Sequence, residues 1–262
     1  MFDLTVLGYD LYHLFFYFTI YAFIGWCMET AYVSYLDKRF VNRGFLNGPF
    51  CPIYGFGVIL IISVLRPVKD NLVLLFLGSF VFTSLLEYFT AFILEKAFNS
   101  TWWDYSDKPF NIRGRICLSN STLWAVLSTI IVRYVQPYTT RLVDQIPHNV
   151  GITTLYILLI YFIIDLIFSV ISVIGLNIRL KKLYMLSMEL QAKLEYVKSA
   201  TIGKIAELEN MLQELKNRYN NLLNRNKLSQ IRILKAFPRL KSLKFNNVLN
   251  DLKENIKKYS RF

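Results

Sequence analysis

GITTLYILLIYFIIDLIFSVISVIGL, Gly151 to Leu176, is an apolar run of 26 residues broken by one carboxylate, Asp165. About 20 apolar residues suffice for a helix to cross the hydrocarbon core of a bilayer, so the run reads as a membrane span. A carboxylate inside hydrocarbon is costly and calls for a partner or a function. Glu29 and Glu87 interrupt two other long apolar runs in the same way. Working outward, the chain holds about five such stretches, at roughly 11–35, 50–65, 72–96, 120–136 and 151–176. The expected fold is all-α: a polytopic helical membrane protein with about five transmembrane helices over residues 1–177, followed by a long amphipathic or coiled-coil helical tail over 178–262.

Composition agrees, since 54% of the residues are hydrophobic and 16% aromatic, more apolar surface than one soluble core of this length can hide. The first dozen residues carry Asp3 and Asp10 but no Lys or Arg. The positive start of a cleavable secretory signal is therefore missing, and the first span is expected to be retained. Cys27, Cys51 and Cys117 fit neither a paired disulfide framework nor a two-plus-two zinc pattern and read as buried thiols. Lys38, Arg39 and Arg43 in the first loop, and Lys96, Lys108, Arg113 and Arg115 in the third, outnumber Arg66 and Lys69 in the second and Arg133 and Arg141 near the fourth. Basic loops stay on the cytoplasmic side. The amino terminus is thus expected outside and the carboxyl terminus in the cytoplasm of a multi-pass plasma-membrane protein.

The tail holds 19 Lys and Arg against 7 Asp and Glu, while residues 1–177 balance at 11 and 11. Such a tail suits anionic lipid, and the nearby membrane argues against nucleic acid as its partner. Apolar residues recur at helical spacing through Leu183, Leu186, Leu190, Leu194 and Val197, then Ile205, Leu208, Leu212, Leu215, Tyr219 and Leu222. Thr201 between the two sets breaks a strict heptad as a stutter would. After Pro238 a second stripe, Leu240, Leu243, Leu249, Leu252, Ile256 and Tyr259, alternates with lysines and suits a helix lying on the inner leaflet. The tail reads either as a solvated helix that keeps the protein oriented or as a device for oligomerisation or docking.

An offset of 58 residues places Glu29 on Glu87, Asp37 on Glu95, Lys38 on Lys96 and Phe40 on Phe98. Asn42-Arg43-Gly44 and Asn111-Ile112-Arg113-Gly114 follow in the two basic loops. The pattern suggests a parallel repeat of two hairpins with the fifth span outside it, and transporter sites often lie where repeats meet. If Glu29, Glu87 and Asp165 face one cavity, they can exchange protons or bind a cation. Otherwise they lock helices together through Arg or backbone donors. Arg43, Arg113 and Arg115 are the available guanidinium partners, or binders of a phosphate.

The first loop contains Asn42, Arg43, Gly44, Gly48, Pro49, Cys51, Pro52, Tyr54 and Gly55, and so much Gly and Pro fits a broken or re-entrant start to the second span. The third contains Trp103, Asp104, Tyr105, Asn111, Gly114 and Arg115, with aromatics suited to the membrane interface. Gly25-Trp26 followed by Glu29, the Asn-Arg-Gly-Phe-Leu and Gly-Pro-x-Cys-Pro-Ile-Tyr-Gly strings, Glu87-Tyr88 with Glu95, Trp103-Asp104-Tyr105-Ser106 and Gly-Arg-Ile-Cys-Leu together resemble a family of small bacterial membrane proteins catalogued as ABC-transporter permeases, CmpB-like or type IV. The resemblance covers roughly residues 12–176 and leaves out the tail. It implies a permease-like subunit of unspecified substrate. No Gly-x-x-x-x-Gly-Lys-Ser/Thr loop is present, so an ATPase would be a separate protein, and two copies of so small a permease are expected.

Three functions follow. The first is a permease or transporter-associated subunit with Glu29, Glu87 and Asp165 lining or locking the path. The second is a membrane-anchored scaffold or regulator that recruits through its tail. The third is an interfacial lipid-modifying enzyme with Asp104 or Glu29 as base and loop arginines on phosphate. His13 and His148 are the only histidines and Gly-x-Ser-x-Gly is absent, so neither a His-rich metal site nor a serine nucleophile elbow supports enzyme chemistry. No cofactor or metal is implied.

Overall fold

The computed structural model describes residues 5–6, 8–199, 205–225 and 227–259; Asp3 and the stutter position Thr201 lie outside them. Helices α1 (Leu11–Asp37), α2 (Pro52–Val64), α3 (Leu72–Phe98), α4 (Leu118–Ile130), α5 (Gln136–Asp144), α6 (His148–Ser199), α7 (Ile205–Asn224), α8 (Leu228–Ala236) and α9 (Asn246–Tyr259) form the structure. Among the described residues, strands are confined to two-residue antiparallel pairs, including Ser100–Thr101 with Lys241–Ser242 and Asn111–Ile112 with Ile116–Cys117. The protein is an all-α membrane protein. Among the described residues, α1, α3 and the run His148–Val197 of α6 are long and apolar enough to cross a bilayer. Two compact units divide the chain, one of Met1–Ala97 with Trp102–Ser169, the other of Phe98–Thr101 with Val170–Phe262.

In the first unit α1 starts at Asp10, whose carboxylate accepts the His13 backbone N–H at 2.8 Å, and ends where Lys38 turns left-handed at φ 51°. The chain then runs back along α1 before α2 begins, because the Cys51 N–H donates to Ala22 O at 2.9 Å. Ala22 lies 16 residues before Lys38, about 24 Å down the helix at about 1.5 Å per residue. The re-entrant segment thus covers part of the depth. It explains why α2, with 13 residues, is too short to cross alone. Pro52 at the start of α2 suits a turn whose N–H has no helical acceptor. Leu46 and Phe50 of the segment pack on Ala22.

Glycines set the approach of α2 to α1. A Cβ at Gly55 would fall 2.6 Å from the Phe18 carbonyl oxygen, and one at Gly25 would enter the Tyr54 ring. Small residues at such contacts let helix backbones close up in a membrane. The core above this crossing joins Tyr12, Phe16, Tyr17 and Tyr21 to Val58, Ile62, Val143 and Leu155. At one end of the bundle His13 bonds Asp10 through Nδ1 and Asp144 through Nε2, at 2.7 and 2.9 Å, tying α1 to the end of α5.

The fourth apolar stretch runs further than the 120–136 expected from sequence, because a π-helical turn, Ile131–Val135, carries α4 directly into α5. Pro137 lacks an N–H and crowds the carbonyl four residues back; a wider turn at that point absorbs both defects.

In the second unit the tail folds on itself. Arg179 on α6 donates to Leu222 O and Leu223 O at the end of α7, at 3.2 and 3.0 Å, and to Gln230 Oε1 at 2.9 Å. Lys193 meets Met211. As the α6 number rises the α7 number falls, so the two helices run antiparallel. Buried Arg179 satisfies terminal carbonyls that have no helical donor. The stripe read as one long amphipathic helix belongs to two arms, with Leu183 and Leu215 both buried. The second stripe does not lie free for a leaflet: Leu240, Leu249, Leu252 and Ile256 are core residues of this unit. Lys253 donates to Pro238 O and Leu240 O, and burial, then Lys257 and Lys241, push its ammonium pKa down.

Gly55→Ala should force α1 and α2 apart at the cost of about 1–3 kcal/mol, whereas Gly57→Ala, whose Cβ would meet only Leu86 Cδ2 at 3.4 Å, should be tolerated. Thermal unfolding of the detergent-solubilised full chain compares the two.

Candidate functional site

Four helices bring two carboxylates and two phenols together in the first unit. Glu29 on α1 accepts Arg43 Nε at 3.2 Å through Oε2 and the Tyr54 hydroxyl of α2 at 2.6 Å through Oε1. Glu87 on α3 is 7% exposed. Its Oε1 accepts the Tyr105 hydroxyl at 3.1 Å, and its Oε2 is buried with no hydrogen-bond partner. Asn120 of α4 lies beside the Tyr105 phenol. One turn on, Trp124 packs edge-on against the Tyr54 ring at 5.3 Å. Glu29 and Glu87 lie near enough for their charges to act on each other. Burial, then the Glu87 charge, raise the Tyr105 pKa, so this phenol stays a donor.

The two acids are not equivalent. Arg43 lies against Glu29 and neutralises it, with its backbone N–H tied to Thr30 Oγ1 at 3.3 Å. Arg113, its counterpart in the repeat, is exposed on a left-handed turn at φ 53°. Arg115 goes instead to Glu95 through Nε and Nη2 and to the Tyr88 hydroxyl, lying over the Tyr88 and Phe92 rings. Glu87 therefore keeps a phenol on one oxygen and a bare second oxygen. A buried oxygen of this kind is costly unless a proton or a cation neutralises it. That is the chemistry the site offers.

Asp165 does a different job. Oδ1 accepts the Asn47 N–H and Nδ2 at 2.9 and 3.0 Å, and Oδ2 accepts the Gly48 N–H at 2.8 Å. Both oxygens are occupied by the re-entrant segment, so its contacts do not join it to Glu29 and Glu87. A side chain at Gly48 would collide with the Tyr161 hydroxyl. The rest of the segment is satisfied locally: Asn42 bridges Trp26 Nε1 and Asn47 O, Val41 N–H donates to Ser34 Oγ, and Gly44 adopts φ 106° beside Cys51. Pro49 lies between Gly48 and Phe50, where the chain turns towards α2.

In the third loop Asp104 accepts the Ser106 N–H and hydroxyl, Trp103 Nε1 donates to Arg115 O, and Asn111 accepts the Gly114 N–H at φ 66°. Asp104 is thus engaged as a turn former, which does not favour it as a base. Cys51 and Cys117 immediately precede α2 and α4 and are buried. Among the described residues no cluster of His, Cys, Asp and Glu suits a metal.

Sequence reasoning missed Asn120 and Trp124, whose signal was a polar and an aromatic residue four apart on one helical face. It also missed a buried polar layer in which Tyr21 donates to Gln136 and meets Thr139, while Tyr17 meets Thr140.

A family model described as "Putative ABC-transporter type IV" matches residues 16–170, a segment that holds Glu29, Glu87 and Asp165. No curated protein and no solved structure matches the chain.

Asp165→Asn puts an amide N–H against a backbone N–H and should cost about 1–3 kcal/mol. Lower thermal stability together with faster proteolysis within residues 42–51 is the expected readout.

Proposed function

This chain belongs to the ABC-transporter type IV family, and we propose that it works as a permease, the membrane subunit of a transporter. Glu29 and Glu87 form the charged centre of its path and Asp165 locks the path's wall. The observation that carries this reading is Glu87 Oε2, buried without a hydrogen-bond partner beside a second carboxylate. A purely structural acid would have donors on both oxygens, as Asp165 does. Exchange of a proton or cation at Glu87 would change the charge balance between four helices and so couple occupancy to helix packing. The substrate is not specified by these residues.

In the proposed orientation the amino terminus is outside and the basic second unit is in the cytoplasm of the cell that carries the protein in its plasma membrane. ATP hydrolysis would come from a separate subunit, since the chain has no phosphate-binding Gly-rich loop of the Walker type. A second reading, a membrane-anchored scaffold, draws on the tail: it is a folded unit with its own core, which suits a recruiting module.

Purification of the intact chain in mild detergent, with mass spectrometry of what accompanies it, separates the two. A stoichiometric ATPase is expected, and in the reconstituted complex Glu87→Gln should abolish substrate-stimulated ATP hydrolysis while leaving assembly intact. A partner set without an ATPase, lost on deletion of residues 205–262, would support the scaffold instead.

A further inference from the structure

His13, in the first turn of α1, has a carboxylate on each ring nitrogen. Nδ1 lies 2.7 and 2.9 Å from the two oxygens of Asp10, and Nε2 lies 2.9 Å from Oδ1 of Asp144 in the last turn of α5. An ionised carboxylate only accepts and a neutral imidazole carries one N–H, so bonding both acids requires the doubly protonated ring. The proton belongs to the imidazole rather than to an acid, because a carboxyl ordinarily loses its proton at about pH 4 and an imidazole at about 6.5. The Asp144 side chain is 55% exposed, so water keeps it ionised, and the imidazole is 25% exposed, open to protons from solvent. A cation suits the place as well. Asp144 sits at the carbonyl end of α5, where a negative charge opposes the helix dipole unless a positive one covers it.

The two halves of this clamp are unequal. Asp10 is fixed to α1, because it accepts the His13 backbone N–H at 2.8 Å and also offers both oxygens to Nδ1. Asp144 offers Oδ1 alone. When the ring gives up one proton, Nδ1 therefore keeps the other, and the bare lone pair of Nε2 faces an anionic oxygen. Two acceptors in that position repel each other, so the bond lost is the one that crosses from α1 to α5. The surrounding groups do not replace it. The Tyr12 and Tyr17 rings lie 5.5 and 5.9 Å from the imidazole, Tyr9 packs on Tyr17 with Arg66 over its ring, and His148 of α6 packs on Tyr12. Phenols ordinarily titrate near pH 10, well above the imidazole range. Among the described residues, Asp10 and Asp144 alone bond the ring.

We propose that Asp10, His13 and Asp144 form a proton-operated latch, which fastens α1 to the end of α5 in acid and releases it once Nε2 is bare. The latch borders a cavity of about 590 Å³ that Tyr12, Val143, His148 and Tyr156 also line, so its release frees the α5 side of that wall. Its contribution to stability is present at low pH and is lost as pH rises through the imidazole range. In the orientation proposed above, this end faces outside and the latch answers to the pH of the medium. The latch itself is independent of the transport reading.

Thermal unfolding of the full chain in lipid nanodiscs, at about pH 5.5 and about pH 8.5 on either side of the ordinary imidazole value, tests it. Asp144→Asn should unfold about 2–4 °C below the wild type in acid, where it gives up a charge-assisted bond. At the higher pH it should unfold above the wild type, because an amide N–H can donate to the bare Nε2. In a His13→Phe background Asp144→Asn should have the same effect at both pH values. An effect of one sign at both pH values in the otherwise native chain, or a reversal that survives His13→Phe, overturns the proposal. A second readout needs no change in the latch itself. The chain has two histidines, so His148→Gln leaves His13 as the single imidazole for ¹⁵N spectroscopy. Both ring nitrogens should be protonated in acid and Nδ1 alone at the higher pH. A ring that keeps one state throughout, or that retains its last proton on Nε2, overturns the latch.

Discussion

Backbone N–H groups that lie at membrane depth outside a helix need acceptors from the protein, because hydrocarbon supplies none. The segment between α1 and α2 meets that constraint through Asp165, which takes the Asn47 and Gly48 N–H groups on separate oxygens. A carboxylate suits this position because it has no donor of its own and two acceptor atoms, so it serves two adjacent amides at once. Thr30, Ser34 and the Ala22 carbonyl serve others. Without these acceptors the segment would have to leave the bundle.

The candidate site depends on the same segment. Arg43 and Tyr54, which hold Glu29, lie at its start and just beyond its end. Asp165 therefore shapes the site without touching it, by fixing the stretch that supplies the partners of Glu29. Glu87 depends on a different loop, through Tyr105, and the two loops deliver their side chains unequally. One acid receives a guanidinium and a phenol; the other receives a phenol alone. That imbalance leaves one Glu87 oxygen without a hydrogen-bond partner, and it arises because Arg115 is directed to Glu95.

Much of this was legible in the sequence. The apolar runs placed α1, α3 and the first part of α6 to within a few residues, and glycine and proline between Asn42 and Gly57 announced a re-entrant segment. The three acids were visible because a carboxylate in an apolar run stands out. What sequence could not give was their grouping. Asp165 and Glu87 have the same appearance as isolated charges, yet one is saturated by backbone donors and the other is not, and only the path of the loops decides that. The fourth stretch was expected to end near 136, because a π turn cannot be read from composition. The tail misled through its periodicity: spacing of three and four describes a helix surface equally well whether it faces its own chain, a second chain or lipid.

Asn47 and Asp165 are 118 residues apart, and a ribosome makes them in that order. When the first hairpin leaves the translation machinery, its re-entrant amides have no Asp165 to accept them, and some other acceptor, water or the insertion apparatus, must hold them until α6 is complete. The first two helices are thus made early but finished late. Ser100, which pairs with Ser242, waits longer still, because its partner strand is made only after α6, α7 and α8.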